Sequence, residues 1–239
     1  MLLLAFETSA KAASVALYRE DILLAESYQN TGLTHSQTLM SMAEDLLRTS
    51  GFTPQQVTAV AVAAGPGSFT GVRIGVAAAK GFAWGAALPC YGVSTLEAMA
   101  LNFGAFDGTV VCAMDARRNQ VYNALFSAKD GELTRLCPDR AVSLEALAAE
   151  LSAIPGKLYL IGDGSRVCYD ALAGKLPGLV MPAEHRMHQR AGGVALAAMK
   201  KIAAGDPGDG AALEPNYLRL SQAERERLAK EGNTLLCNH

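Results

Sequence analysis

Two stretches of this 239-residue chain follow the same plan, and this repetition constrains the fold more than any other feature of the sequence. One begins at Leu2 and the other at Val110, and each opens with a short apolar run that ends in a carboxylate, Glu7 or Asp115. A small polar turn, an alternating strand and a second turn follow in both copies. Because alternation bounded by turn residues is typical of antiparallel strands, each copy is predicted to form a three-stranded meander.

The apolar spacing changes after each meander. Residues 35–51 have helical periodicity and 57–64 are predicted to be a buried strand, with further helices over 65–85 and 94–103. The second copy is followed by a similar alternation, which ends in helical material around 191–204. Strands and helices that alternate in this way indicate an α/β fold.

The duplication predicts two tandem lobes, each a mixed sheet that opens with a meander and carries flanking helices. We expect an N-terminal lobe over 1–105, a C-terminal lobe over 106–220 and a mixed-charge tail over 221–239. This plan resembles that of the actin, hexokinase and Hsp70 superfamily. The resemblance implies that the two acidic turns face a nucleotide-binding cleft between the lobes.

The segment GPGSFTG does not fit either of the common phosphate-binding fingerprints. It lacks the lysine of a P-loop, and Gly65, Gly67 and Gly71 are spaced differently from the glycines of GxGxxG. Two interpretations stay open. The glycines form a tight turn that lets a strand and a helix pack closely, or the helix start binds an anion, with Ser68 or Thr70 as the cap.

Small residues recur at every fourth position of the helix that follows, at Gly71, Gly75, Ala79, Ala83 and Ala87. Such a row lets another helix approach closely. A close contact would offset the cost of a glycine inside a helix, which is roughly 1 kcal/mol relative to alanine. The row is therefore predicted to pack on a helix, either that at 35–47 or one of a partner chain.

Composition narrows the classes of function. The net charge of −2 and the pI near 6.1 argue against tight binding of nucleic acid by this chain alone. The five cysteines are widely spread and form no CxxC, which favours reduced thiols over disulfides or a zinc site. The sequence has no basic leader and no apolar run of about 18 residues. We expect a soluble, cytoplasmic protein that does not bind membranes.

Catalytic and metal-binding patterns are few. The sequence has no GxSxG and no HExxH, and His185 and His188 are predicted to be surface histidines. Asp115, Arg117 and Arg118 form a charged turn that faces either an anion or solvent. Residues 162–165, GDGS, follow an apolar strand, where they form either a ligand-facing loop or an ordinary turn.

Seven strings occur in order between residues 6 and 219: FETS, THSQTL, GPGSFTGVRIGVAAAKGFA, GVSTLEAMA, DARRNQVY, GDG and LEPNYLR. Together they resemble the TsaB family, formerly YeaZ, whose members take part in the synthesis of threonylcarbamoyladenosine at position 37 of tRNA. The resemblance covers nearly the whole chain. It implies the two-lobed, actin-like (ribonuclease H-like) fold.

The resemblance also implies a partner role. The catalytic relative TsaD transfers threonylcarbamoyl from its AMP ester to N6 of the adenosine and carries an HxxxH metal motif. Counted from the shared glycine loop, that motif falls where Thr95 and Met99 stand, and neither replaces an imidazole ligand well. No metal, cofactor or catalytic residue is therefore expected. The implied partners are a TsaD-like subunit and a TsaE-like ATPase, with a homodimer through the same helices as an alternative and tRNA contacted at most indirectly.

Two groups of site residues are predicted. The partner-binding surface lies on the two N-terminal helices and consists of His35, Leu39, Met42, Ala43, Leu46, Gly71, Val72, Gly75, Ala78, Ala79 and Phe82. The remnant of a nucleotide cleft lies between the lobes and consists of Glu7, Asp115, Arg117, Gly162, Asp163 and Gly164. The acidic turns and the turn at 162–164 also leave open a nucleotide-dependent kinase or carbamoyl transferase. A peptidase, a label once attached to the wider family, is less favoured.

Overall fold

The structure, a computed structural model, describes residues 1–104 and 106–219, so the predicted tail at 221–239 lies outside the described residues. The N-terminal copy forms the predicted meander and extends into a five-stranded sheet. Its strands are β1 (Leu2–Glu7), β2 (Ala13–Arg19), β3 (Ile22–Gln29), β4 (Ala59–Ala63) and β5 (Cys90–Val93). Strand β1 pairs antiparallel with β2 and parallel with β4, in the order β3-β2-β1-β4-β5.

The second copy repeats this arrangement in a six-stranded sheet. Its strands are β6 (Gly108–Asp115), β7 (Gln120–Lys129), β8 (Glu132–Arg135), β9 (Arg140–Ser143), β10 (Leu158–Ile161) and β11 (Leu179–Val180). The order is β11-β10-β6-β7-β8, and β9 also pairs with β7. Like β1 in the first sheet, β6 has an antiparallel neighbour on one side and a parallel one on the other. The predicted duplication is confirmed.

Three of the helices begin at a serine that caps them. The Ser68, Ser94 and Ser143 side chains accept hydrogen bonds from the backbone N–H three residues on, at 3.3, 3.1 and 3.1 Å. The helices are α1 (His35–Thr49), α2 (Phe69–Ala86), α3 (Thr95–Phe103), α4 (Leu144–Ser152), α5 (Ser165–Leu172) and α6 (Ala191–Ala203), and short 3₁₀ turns lie at Pro54–Gln56 and Glu184–Arg186. Within the described ranges, none of these helices combines the length and apolarity needed to cross a bilayer.

Strands β1 and β4 at the centre of the first sheet are buried on both faces because they are apolar at nearly every position, whereas β3 at its edge is partly exposed. Leu4 and Phe6 of β1 face α1 and α2, whereas Leu3 and Ala5 face the opposite side. Helix α6 covers that opposite side with a row of small residues.

Helix α6 thus packs on the first sheet, although it follows the strands of the second sheet in the sequence. Helix α3 does the converse, since Leu96 and Met99 pack into the core of the second sheet. The two helices also meet closely, because a Cβ on Gly193 would lie 2.0 Å from the Ala98 carbonyl oxygen. The predicted boundary at 105/106 separates the strands of the two sheets, but it does not separate two packing units.

Candidate functional site

A cleft of about 530 Å³ opens between the lobes. It is bounded by the β1–β2 turn, the loop before α2, the β6–β7 turn and residues 216–219. Of the predicted cleft residues, Asp115, Arg117 and Asp163 line it. The turns that follow Glu7 and Asp115 therefore lie at one cleft, as predicted. Asp115 lines this cleft, whereas Glu7 does not.

Glu7 lies behind the cleft wall, at the end of β1, and its side chain is only 1% exposed. Its Oε1 accepts a hydrogen bond from the Ser9 N–H at 2.5 Å, and its Oε2 has no hydrogen-bond partner among the described residues. Burial raises the pKa of Glu7 to about 7, against the lowering effect of the bond from Ser9, and the negative charge of Asp163 raises the pKa further. Glu7 is therefore a carboxyl group that titrates inside the fold.

Asp163 follows β10 and faces the cleft. Gln189, which is buried, donates from Nε2 to Asp163 Oδ1 at 2.8 Å. Partial removal from water between the lobes raises the pKa of Asp163; the bond from Gln189 opposes this and the charge of Asp115 adds to it. A proton or a cation is the ligand that these carboxylates would favour. Within 1–104 and 106–219, however, no group of three or more His, Cys, Asp or Glu side chains is arranged to hold a metal ion.

Gly162 and Gly164 have structural roles, whereas Arg117 lines the cleft with a side chain that is largely in solvent. A Cβ on Gly162 would lie 2.1 Å from the Ala113 carbonyl oxygen, and one on Gly164 would lie 2.8 Å from the Asp115 nitrogen. These glycines let the loop after β10 lie against β6. Arg117 pairs with Asp115 at 3.5 Å, but its side chain is largely in solvent. The pair therefore contributes little to stability.

The GPG segment packs on the β1–β2 turn. The Ser68 N–H donates to the Ser9 carbonyl oxygen at 2.6 Å, and a Cβ on Gly67 would lie 2.5 Å from that same oxygen. A Cβ on Gly71 would come within 2.1 Å of the Thr8 carbonyl oxygen. The interpretation as a tight turn that permits close packing is confirmed, and the segment lines the cleft as well.

The small-residue row of α2 faces the chain's own sheet. Gly75, Ala79 and Ala83 are buried, and a Cβ on Gly75 would lie 2.3 Å from Thr8 Oγ1 and 3.3 Å from a Val62 methyl group. Gly71 and Gly75 allow α2 to approach the end of β1 and β4, so these two glycines pack on the sheet and not, as predicted, on a helix. The predicted surface residues that are in fact buried are Leu39, Met42, Ala43, Leu46, Gly71, Val72, Gly75 and Ala79.

Three members of the predicted surface, His35, Ala78 and Phe82, are partly exposed. The outer sides of the two helices carry apolar residues that are not among the eleven predicted surface residues: Trp84 is 86% exposed and Met40 is 46% exposed. A signal for them was present in the sequence. Once the small residues of α2 are placed against the core, the helical period puts Trp84 on the opposite side.

The positions compared with the metal motif of the catalytic relative are both buried. Thr95 is the first residue of α3, and Met99 packs into the core of the second sheet. His185 is exposed, as predicted, whereas His188 is half-buried, with Nε2 3.7 Å from Glu184 Oε1. His35 begins α1, and its Nε2 lies 2.8 Å from the Ala10 carbonyl oxygen, so this ring joins α1 to the turn at the cleft.

Comparison with known families shows the class of protein to which the chain belongs. Residues 29–226 match the family described as TsaD, tRNA N6-adenosine threonylcarbamoyltransferase. Together with the duplicated mixed sheets, this match defines an actin-like protein of the TsaD type.

The individual proteins that match this chain over almost its whole length are named TsaB. TsaB of Bacillus subtilis is 36% identical, over 94% of this chain and 96% of its own length. TsaB of Escherichia coli is 33% identical, over 97% of this chain and the whole of its own. The solved structure of YeaZ from Pseudomonas aeruginosa is 27% identical, covers 91% of this chain and 99% of its own, and superposes with a TM-score of 0.74. The chain belongs to the TsaB family of tRNA threonylcarbamoyladenosine biosynthesis proteins.

Proposed function

We propose that this chain is a non-catalytic, cytoplasmic subunit that binds a TsaD-like enzyme and activates or stabilises it. With a TsaE-like ATPase, the complex transfers threonylcarbamoyl from threonylcarbamoyl-AMP to N6 of adenosine 37 in tRNAs that read codons beginning with A. The observation that carries the proposal is membership of the TsaB family, combined with Thr95 and Met99 at the positions compared with the metal-binding histidines. The side chains of Thr95 and Met99 are buried in α3, and neither of them lines the cleft.

The docking surface that we propose is the outer side of α1 and α2. Trp84 is the only tryptophan of the chain and projects from α2, while Met40 is exposed on α1. Leu33, just before α1, is 58% exposed as well. Tryptophan is enriched among the residues that dominate binding energy at protein interfaces, and methionine adapts to varied partners. A side chain as exposed as Trp84 contributes little to the fold, which favours a role in binding.

Replacing Trp84 with alanine tests this surface. We expect Trp84→Ala to weaken binding of the TsaD-like subunit from the same organism by at least about tenfold, because the variant loses a large apolar contact. The unfolding free energy should change little, since the side chain is exposed. Calorimetric titration of one full-length protein with the other measures the affinity.

Val167→Ala is the matched control. Val167 is an apolar residue of α5 that is 42% exposed, and α5 packs against the second sheet. We expect this variant to bind as tightly as the unsubstituted chain. Equal affinity of Trp84→Ala and Val167→Ala would remove Trp84 from the interface. Sedimentation of the unbound chain at increasing concentration then shows whether the same substitution weakens a homodimer.

The absence of catalysis is tested separately. We expect no transfer of threonylcarbamoyl to tRNA by the purified chain and restored transfer when the TsaD-like and TsaE-like proteins are added. Transfer by the chain alone would overturn the proposal. Micromolar binding and turnover of ATP with magnesium would instead favour a nucleotide-dependent enzyme, and cleavage of casein would favour a peptidase.

A further inference from the structure

The last described residues run from one lobe to the other. After α6 the chain continues without regular secondary structure, and we call residues 208–219 the strap. The strap is held to the first sheet by backbone hydrogen bonds at two places. The Cys90 N–H donates to the Gly208 carbonyl oxygen at 2.9 Å, and the Asn216 N–H donates to the Ala64 carbonyl oxygen at 2.6 Å.

Helix α2 supplies further contacts between these two places. Lys80 Nζ donates to the carbonyl oxygens of Ala211 and Leu213 at 3.2 and 3.0 Å. The side chain of Leu213 occupies the space beside Gly92, where a Cβ would lie 2.2 Å from Leu213 Cδ1. The middle of the strap is thus fixed to the first lobe by an ammonium group and an apolar contact.

An aromatic cluster holds the strap at the cleft. The rings of Tyr217 and Phe69 stack with centroids 4.4 Å apart. Arg73 Nε donates to the Tyr217 hydroxyl at 2.7 Å, and the Arg73 guanidinium lies 3.9 Å from the centre of the Phe69 ring. Tyr217 is thus held by stacking and by a hydrogen bond, and the cation–π contact fixes Arg73 on the Phe69 ring beside it. This part of the strap is a fixed wall of the cleft.

Arg219 makes the contact with the other lobe. Its Nη1 donates to the carbonyl oxygens of Ala116 and Arg117, the latter at 3.4 Å. These carbonyls belong to the β6–β7 turn, which forms the opposite side of the cleft. The anchors on the first lobe are multiple and partly buried, whereas the hydrogen bonds from the strap to the second lobe come, within residues 1–104 and 106–219, from one side chain at the surface.

The turn that Arg219 contacts is itself in a disfavoured conformation. Arg117, Arg118 and Asn119 have φ values of 64°, 56° and 57°, so three successive residues other than glycine are left-handed. Such residues persist where surrounding contacts hold them. The hydrogen bonds from Arg219 to the carbonyls at the start of this run are contacts of that kind.

We propose that the strap controls how far the interlobe cleft opens, and that Arg219 is the contact whose release opens it. The strap stays on the first lobe through Lys80, Tyr217 and the backbone bonds. When Arg219 leaves Ala116 and Arg117, the β6–β7 turn relaxes and its side of the cleft moves away from the strap. The lobes stay joined in both states because α3 packs on the second sheet and α6 packs on the first.

Hydrogen–deuterium exchange of the full-length Arg219→Ala variant, followed by mass spectrometry, tests this proposal. We expect exchange to become about tenfold faster in the β6–β7 turn and at residues 216–219, because a hydrogen bond with a charged donor is lost. Exchange in the cleft-facing turn at 9–11 should rise too. Exchange in β4 and β6 should stay unchanged, since both strands lie inside their sheets.

Arg118→Ala is the matched control, because it removes an exposed arginine from the same turn. It should leave exchange at 216–219 unchanged. Unaltered exchange in Arg219→Ala would overturn the proposal, and so would faster exchange throughout β4 and β6, since the strap would then be part of the folding core. If Arg219→Ala does not fold, Arg219→Lys, which keeps the charge but loses the forked donors, is measured against the same outcomes.

Discussion

Glu7→Gln should be more stable than the unsubstituted protein by about 3 kcal/mol at pH 8 and equal to it at pH 4. Burial raises the pKa of Glu7 from 4.5 to about 7. Between pH 4.5 and about pH 7, Glu7 is protonated in the folded chain and ionised in the unfolded chain. Stability therefore falls as the pH rises through this window, and it stays lower above it because a buried carboxylate has formed.

Glutamine removes this dependence because it does not ionise. It keeps an oxygen that can accept the hydrogen bond from the Ser9 N–H, now made to Glu7 Oε1. Urea unfolding at several pH values between 4 and 8 measures the difference. Asp163, whose pKa is also raised, titrates in both proteins, so the difference between them reports Glu7 together with its charge interaction with Asp163.

Glu44→Gln serves as the control, since Glu44 is an exposed carboxylate on α1. Its stability should follow that of the unsubstituted protein across the whole pH range. Should Glu7→Gln do the same, Glu7 would have to be ionised in the fold at neutral pH, with a counter-charge or water that compensates for its burial.

Gly71→Ala should lower the unfolding free energy by about 2–3 kcal/mol, the upper part of the usual cost of roughly 1–3 kcal/mol for forcing extra volume into a packed site. A Cβ there would lie 2.1 Å from the carbonyl oxygen of Thr8, the residue that follows β1. This oxygen is a backbone atom and cannot rotate away as a side chain could. Either α2 or the β1–β2 turn has to shift. Because Gly71 lies close to the cleft, the shift would also disturb the Ser68–Ser9 contact.

Gly81→Ala is the matched substitution on the outer side of the same helix. A Cβ at Gly81 meets no described atom within 4 Å, and alanine is the better helix former, so we expect a gain of up to about 1 kcal/mol. Thermal and urea unfolding of the pair measure both effects. Equal stability of the two variants would contradict the inward orientation of the small-residue row.

The elements and the cleft acids could be predicted because they depend on local signals. Alternation revealed both meanders, and a serine marks the start of α2. The carboxylates that end β1 and β6 occupy equivalent positions in the two copies, which brought Asp115 to the cleft. The same equivalence did not predict that Glu7 is buried while Asp115 is partly exposed. That difference depends on how the loop before α2 closes over the β1–β2 turn.

The orientation of α2 shows where the local signals end. Periodicity identifies a row of small residues on α2. Such a row can pack closely on a sheet as well as on a helix, so the spacing of Gly71 and Gly75 does not predict which surface they contact. Packing on β1 and β4 decided it. The missed exposure of Trp84 follows from the same uncertainty, because the outer side of a helix is defined only once the inner side is known.

By itself, the sequence determined the repeated meanders, the helices after them and the family, since each depends on neighbouring residues or on strings that follow one another. The tertiary structure decided which helices cover which sheet, that Glu7 titrates inside the fold, and that Arg219 reaches the β6–β7 turn. These features join residues far apart in the chain, such as Asn216 with Ala64 and Arg219 with Ala116. Contacts of this kind arise from the packing of surfaces that no single stretch of sequence contains.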